Sequence, residues 1–539
     1  MTAATAATST PAATAETVVL PADSNQALGV GEFAVRFMTG EIGAPGAAVL
    51  ARTEQFFVDA ALCGVSALAL GTNAPTVLRN EALDYPAQAG EPGATVLGSS
   101  QKCHPEKAIL ANCAAVREWD SNGTVFGYEP SLGHVAGEFG HNDFYAVPIA
   151  AAQMMRLDGA AALRGMVLVD EIRGRLASVF SLKTYKIDHV VHGAIASAAT
   201  FGAMMGATPE QIESAIGMVV AHYIPFRAIR AGTQLSDSKG ASAAISAEVA
   251  ILSILRSMRG FVGPKDIFRN PEAIFRLFEP TGPINHPAPS PFDLVLTHSG
   301  AGFMVMGMHF KLGLYEHQSA GALQAMLDLL GANPALLDDA AGAKIKKIEI
   351  LAYEPAFGII GDPAKMNPTT RQSADHSMAY IVATLLRKAL EKAHKGVGRG
   401  AGVSPVRLGW EELMLEPADY SRDAIFNSLT RKIMSKIEFR HGGPDYDRRY
   451  PDGIPTSMVV TDADGITYDS GLVMYPAGHA RNTTAPVEDI LAHKFHLLGA
   501  LASDDPDALI ARFTGLQEQS AADIASMNDF DLRVRGGME

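Results

Sequence analysis

Residues 192–206, HGAIASAATFGAMMG, are mostly Ala, Gly and Ser, and this restricts the possible folds more than any other stretch. A helix with so little side-chain bulk lets neighbouring helices approach closely, so it belongs in the middle of a bundle. From residue 30 to about residue 290 the surrounding sequence keeps a helical period. Residues 52–70 bring Phe56, Phe57, Ala60, Ala61, Val65 and Leu68 towards one face before Gly71 and Pro75 end the helix. Helices are also predicted at 143–155, 159–180 and 241–259, the last closed by Gly260. Thr208, Pro209 and Gln211 form a start signal, with threonine as N-cap, proline at the first helical position and glutamine placed for a capping box.

After a Pro-rich link at 280–291 the pattern changes. A helix at 317–330 precedes a strand at 345–352, IKKIEILA, and a helix at 375–395 follows. Residues 434–440 and 457–475 read as strands, the latter pair turned by Asp464 and Gly465. The chain therefore predicts a mainly α protein with an α+β part, a large all-helical domain plus a smaller α+β domain. The expected division is a disordered tail at 1–30, the first part of the helical domain at 31–290, the α+β domain at 291–482, and C-terminal helices at 483–539 returning to the helical domain. The tail is Ala/Thr-rich without Lys or Arg, which fits neither a secretory signal nor a usual mitochondrial presequence.

Several function classes lose support on composition. The net charge of −14 is spread without a basic run, so nucleic acid and anionic membrane are not expected partners, and cations for an anionic ligand must be gathered locally. Cys63, Cys103 and Cys113 are the whole cysteine complement, which fits a reducing compartment rather than a disulfide framework. The lack of a CxxC pair counts against an iron-sulfur cluster and the lack of HExxH against zinc, so no metal is predicted. Neither GxGxxG nor a P-loop occurs, and no apolar run of ~18 residues suggests a membrane span.

Chemistry-bearing residues concentrate in two places. Residues 112–148 carry Asp120, Asn122, Thr124, His134 and His141 among glycines and aromatics, and read as an active-site floor or as a surface loop of Asx-turns and caps. Residues 224–240 carry Arg227, Arg230 and Lys239 ahead of a long helix, a set suited to an anionic ligand or to ordinary surface ion pairs.

Seven segments occur in one order: WDSNGT at 119–124, GHNDFYAVPIAAA from Gly140, DHV at 188–190, SKG at 238–240, YEHQSA at 315–320, NPTTRQSADHSMAYIVATLL from Asn367 and MYPAGHARN at 474–482. Together they resemble the MmgE/PrpD family. The resemblance implies a helical domain built from the N-terminal part plus the C-terminal helices, with the α+β domain inserted as a lid. It also implies a cytoplasmic homodimer that uses no metal or organic cofactor and takes a small tricarboxylate substrate. The implied activity is loss of water from 2-methylcitrate to give 2-methyl-cis-aconitate in propionate catabolism. The same pattern includes cis-aconitate decarboxylase and epimerases or lyases of other polycarboxylates, and a third reading is a non-catalytic polycarboxylate-binding protein.

Asp120, Thr124, His141, His189 and Lys239 match the family's motif positions, as does His317 with different spacing. Gly123 stands where the family often has a second acidic residue. The implied roles make His141 and His189 the acid/base pair, with Asp120 orienting one of them or the substrate hydroxyl. Lys239, Arg227 and Arg230 would supply positive charge, Arg481 would reach in from the lid, and Thr124 and Asn122 would contact substrate. His376 reads equally as a cap or as catalytic. Tyr380 reads as core, His479 lies in a matched segment, and His134 has no family match.

Overall fold

A computed structural model describes residues 17–126, 139–230, 234–284, 286–395 and 408–538, without the side chains of residues 125, 126 and 139–141. Helices α1 (Gln26–Met38), α2 (Ala47–Ala69), α3 (Asn73–Leu83), α4 (Pro105–Arg117), α5 (Ala146–Met155), α6 (Gly159–Val179), α7 (Val190–Met204), α8 (Pro209–His222) and α9 (Asp237–Met258) build a helical body. The small-residue helix α7 packs against α6, α8 and α9. Its composition is what permits this, because Gly193 meets the Phe144 ring so closely that a β-carbon there would collide with it. The predicted capping box of α8 is present, with the Thr208 N–H donating to Gln211 Oε1 at 2.9 Å and the Gln211 N–H to Thr208 Oγ1 at 3.3 Å. Helix α9 is long and apolar enough to cross a membrane by composition, yet it packs against α4, α7 and α8 within the body.

The later part of the chain forms a four-stranded sheet in the order Thr467–Asp469, Thr456–Asp462, Ile345–Ala352, Ile437–His441. The first two neighbouring pairs are antiparallel and the last is parallel. Gly465 turns the hairpin at φ +85, and the Asp462 carboxylate accepts the N–H groups of Asp464 and Ile466, both at 2.9 Å. On Ile345–Ala352, residues Ile345, Ile348, Ile350 and Ala352 are buried. Helix Ala320–Ala332 packs on strand Thr456–Asp462 and against helix Met378–His394.

The structure corrects the expected element limits in four places. The tail expected through residue 30 is ordered from Thr17, because Thr17–Leu20 pairs antiparallel with Leu294–Thr297 and Asn25 caps α1; residues 1–16 lie outside the described residues. Leu294–Thr297, assigned to the α+β segment, is thereby tied to the helical body, where it also packs on α6. Helix α9 begins at Asp237 rather than residue 241, so Lys239 lies in its first turn and not in a preceding loop; Asp237 there complements the positive end of the helix dipole. The strand expected at 434–440 runs from Ile437 to His441, since Asn427 caps a helix over Ser428–Met434.

Helix Val487–Ala502 returns to pack on α2. Its buried Lys494 donates to Asp59 Oδ1 at 2.6 Å, to the Ser121 carbonyl at 2.7 Å and to the Lys311 carbonyl at 2.9 Å. Three donors and three acceptors are matched without water, and losing one partner of such a pair leaves an uncompensated buried charge. Lys494→Met is expected to lower stability by about 3–5 kcal/mol, with part of the loss recovered in Lys494→Met/Asp59→Leu, which removes both charges; chemical denaturation of the two variants checks this.

Candidate functional site

Between the end of α4 and strand Thr124–Phe126, the backbone at Asp120 adopts φ +51. Aspartate tolerates the left-handed region better than most residues, and here both ends of the residue are fastened. Its N–H donates to the Arg117 carbonyl at 3.2 Å, and its own carbonyl accepts Lys311 Nζ at 3.0 Å. The buried carboxylate is 2.7 Å from Arg117 Nη1, 3.3 Å from Lys239 Nζ and 3.2 Å from His376 Nε2, and it also contacts the Lys311 ammonium. Burial opposes the charged form, but Arg117, Lys311, Lys239 and His376 outweigh it and hold this carboxyl well below the usual range.

A second carboxylate stands behind the first. Asp375 accepts Lys239 at 3.1 and 3.3 Å and lies 2.6 Å from His376 Nδ1. His376 therefore sits between two aspartates in the turn joining helices Arg371–Ala374 and Met378–His394. Burial and the Lys239 ammonium push its pKa down to about 4 against the pull of both carboxylates. The position of the turn is fixed by Arg371, which donates to the Glu118 carbonyl at 3.1 Å and pairs with the Glu118 carboxylate.

The opposite wall is built at the start of α7. Asp188 accepts Arg230 Nε at 2.5 Å and Nη2 at 3.3 Å, and its backbone N–H donates to the Pro225 carbonyl at 2.8 Å. Next to it His189 caps α7, with Nε2 at 3.4 Å from Arg230 Nη2 and 3.8 Å from Asp188 Oδ1. Burial dominates its titration and, with Arg230 and Arg227 adding to it against Asp188, keeps the imidazole neutral well below its ordinary pKa. A guanidinium N–H directed at Nε2 assigns the lone pair to that atom and the ring proton to Nδ1.

The third wall comes from the segment before helix Ala320–Ala332, carrying Lys311, Glu316, His317 and Gln318. Burial and the nearby Asp120 carboxylate raise the Glu316 carboxyl to about 7, with Lys311 only partly opposing them. The His317 ring stacks on His309 at 5.1 Å, and His309 stacks on His479 at 4.0 Å. The three walls meet around a tight cleft of about 70 Å³, smaller than an open small-molecule pocket. Arg117, Lys183, Arg227, Arg230, Lys311 and Lys365 line it against two carboxyl groups, Asp120 and Glu316. On a chain of net charge −14, such a local excess of cations is an anion-binding arrangement.

Five of the expected site residues line the cleft: Asp120, His189, Arg227, Arg230 and His317. Lys239 lies one layer behind, bridging Asp120 and Asp375. Asn122 is not a cleft residue, because its amide donates to Asp143 at 2.5 Å in the buried interior. Thr124 is likewise buried, with its backbone exchanging hydrogen bonds with His309 at 3.0 and 2.7 Å. Arg481 does not reach into the cleft. Its exposed side chain pairs with Asp452, outside the lining. Of His141 only the backbone is described, paired with Thr124, and His134 lies outside the described residues. Tyr380 is core, its hydroxyl donating to the Asp419 carbonyl at 2.5 Å.

Sequence reasoning missed Arg117, Lys311, Glu316, Lys183 and Lys365. The available signals were weak: Arg117 stands one helical turn before Asp120, and Glu316 adjoins His317. Asp120, Asp375 and His376 bring ligand-type atoms within 4.8 Å of one another. Arg117, Lys239 and Lys311 already supply the countercharge there, so a metal cation would meet three positive groups. These residues do not fit a metal centre.

Residues 32–286 match the MmgE/PrpD N-terminal domain. The chain is 25% identical to a 2-methylcitrate dehydratase of Cupriavidus necator over 81% of this chain and 83% of that protein. It is 24% identical to a 2-methylcitrate dehydratase of Escherichia coli O157:H7, covering 74% and 79% of the two chains. Similarity to alkylcitrate dehydratase phiI of Talaromyces stipitatus is 23% identity over 70% of this chain and 69% of that protein.

The buried imidazoles make the fold acid-sensitive. Burial holds His189, His309 and His317 well below their ordinary value and His479 at about 4. Unfolded histidines bind protons below about pH 6.5 and these do not until lower pH, so their contribution is complete above about 6.5 and is lost as pH falls. Asp120, Asp188 and Asp375 are depressed carboxylates, and their share is lost only below about pH 4. Glu316, Asp59, Asp143 and Asp170, all raised by burial, act in the opposite sense in this window, so the histidine share is read as a difference: the thermal midpoint of the wild type minus that of His479→Asn should shrink as pH falls from about 6.5 to 4, and a pH-independent difference contradicts the neutral assignment.

Proposed function

Through its N-terminal domain this chain belongs to the MmgE/PrpD family, and we propose that it is a hydro-lyase removing water from 2-methylcitrate to give 2-methyl-cis-aconitate. The observation that carries the reading is the cationic cleft with a neutral imidazole on one wall and a carboxyl of raised pKa on another. The names of its relatives, 2-methylcitrate and alkylcitrate dehydratases, point the same way. The homodimer and the place in propionate catabolism implied by the family belong to the same proposal.

A proton next to a carboxylate is weakly acidic, because the resulting carbanion shares charge with a group already negative. Cations fixed beside that carboxylate lower the barrier to its removal. Arg117 and Lys311 at the floor, with Arg227, Lys183 and Lys365 nearer the mouth, are placed to hold the carboxylates. His189 Nε2 gives up its long 3.4 Å contact with Arg230 to the substrate and takes the proton as the neutral base. The electron pair of the broken carbon–hydrogen bond forms the double bond while the carbon–oxygen bond breaks, and Glu316, protonated below about pH 7, gives its proton to the departing hydroxide. Water leaves, and His189 and Glu316 recover their starting states by exchange with solvent. Asp120 and Asp375 keep the cationic floor in place.

The test is ultraviolet absorbance of the unsaturated product on purified 2-methylcitrate. No absorbance change, together with carbon dioxide release from cis-aconitate, would defeat the assignment in favour of a decarboxylase. His189→Asn is expected to lower kcat by about 10²–10⁴-fold with the fold retained. Because Glu316 must be protonated, kcat should fall as pH rises through about 7. That descending limb should be absent from the residual activity of Glu316→Gln.

A further inference from the structure

Among the described residues lining the cleft, every side chain is charged or polar except Ile359 and Ile360. Both lie on Ala356–Ile360, a π-helical turn that follows strand Ile345–Ala352 after a short connection. The turn is closed by the Gly361 N–H donating to the Ala356 carbonyl at 2.9 Å. It packs on His317–Ser319, so its isoleucines adjoin the wall that carries His317 and Gln318. Wide turns of this kind are rare and recur at functional sites. Ile360 is anchored in the core at 2% exposure, whereas Ile359 is only partly buried and remains open on the cleft side.

A substrate that is all carboxylate and hydroxyl would find no use for this patch, and two apolar side chains would be left against its charges. A tricarboxylate bearing an alkyl branch has one group the cations cannot hold. With its carboxylates on Arg117, Lys311 and Arg227, the remaining apolar surface for that branch is Ile359 and Ile360.

We infer that Ile359 and Ile360 form the alkyl-recognition wall of this site and select alkyl-substituted hydroxy tricarboxylates over unsubstituted citrate. The inference rests on the dehydratase reading and names the feature of the substrate that the cleft discriminates. One methylene in an apolar pocket sets discrimination of roughly 10–200-fold, so kcat/KM for 2-methylcitrate exceeds that for citrate by a factor in this range. Ile359 contributes through contact with the branch and takes no part in proton transfer.

The experiment compares kcat/KM on 2-methylcitrate, 2-ethylcitrate and citrate for the wild type, Ile359→Ala, Ile359→Val and Ile360→Val, with thermal midpoints confirming that each variant is folded. Ile359→Ala should lower the 2-methylcitrate to citrate ratio about tenfold, chiefly through 2-methylcitrate, and should improve 2-ethylcitrate relative to 2-methylcitrate because space is vacated. Ile359→Val provides the same reading with a smaller change should the alanine variant not fold. An active wild type whose substrate ratios are the same in all three variants overturns the alkyl wall and leaves the dehydratase reading standing. A wild type that turns over none of the three acids overturns the dehydratase reading, and the wall with it.

Discussion

The buried carboxylate of Asp120 is the contact on which the rest of the site depends. It collects Arg117 from the end of α4, Lys239 from the first turn of α9, Lys311 from the segment before helix Ala320–Ala332, and His376 from the turn before helix Met378–His394. These groups come from distant parts of the chain and cannot be buried together without a negative charge among them. The positive φ of Asp120 aims the carboxylate into that centre. Next to it, Lys494 binds the carbonyls of Ser121 and Lys311, so helix Val487–Ala502 holds the same two segments. Joining of the helical body to the later segment and assembly of the cationic floor are one electrostatic event.

Burial then does opposite work on two walls. It disfavours the charged form of any titratable group, which keeps His189 deprotonated and raises the Glu316 carboxyl to about 7. Neighbouring charges act both ways: Arg230 and Arg227 add to burial at the imidazole against Asp188, and Asp120 adds to it at the carboxyl against Lys311. Pairs of groups whose environments push their protonation in opposite directions mark acid and base roles. Between the walls Asp120 and Arg117 keep their charges, because each is the other's countercharge.

Local structure was largely legible in the sequence. The helical period, the Thr208–Gln211 capping box, the strand over residues 345–352 and the Asp464-Gly465 hairpin are properties of contiguous residues and appear as expected. Thr17–Leu20 was not legible as a strand, because its partner, Leu294–Thr297, lies more than two hundred residues away. Lys239 was misplaced by four residues of helix start, enough to turn a buried bridging ammonium into a loop cation. Asp120 stood out in the polar loop at 112–148 and His189 through family resemblance, whereas Arg117, Lys311 and Glu316 acquire meaning only when distant segments meet. No periodicity announces such a meeting.

Gly123 shows how a departure from a family motif is decided by packing. A β-carbon at this position would collide with the Phe56 ring. That ring stacks on Phe310 at 4.0 Å, and the Arg52 guanidinium lies 4.5 Å from the Phe310 centroid. The space that an acidic side chain would need is filled by an aromatic pair belonging to the core. Under the proposed function, substrate choice rests instead on groups that do line the cleft, its cations and the two isoleucines.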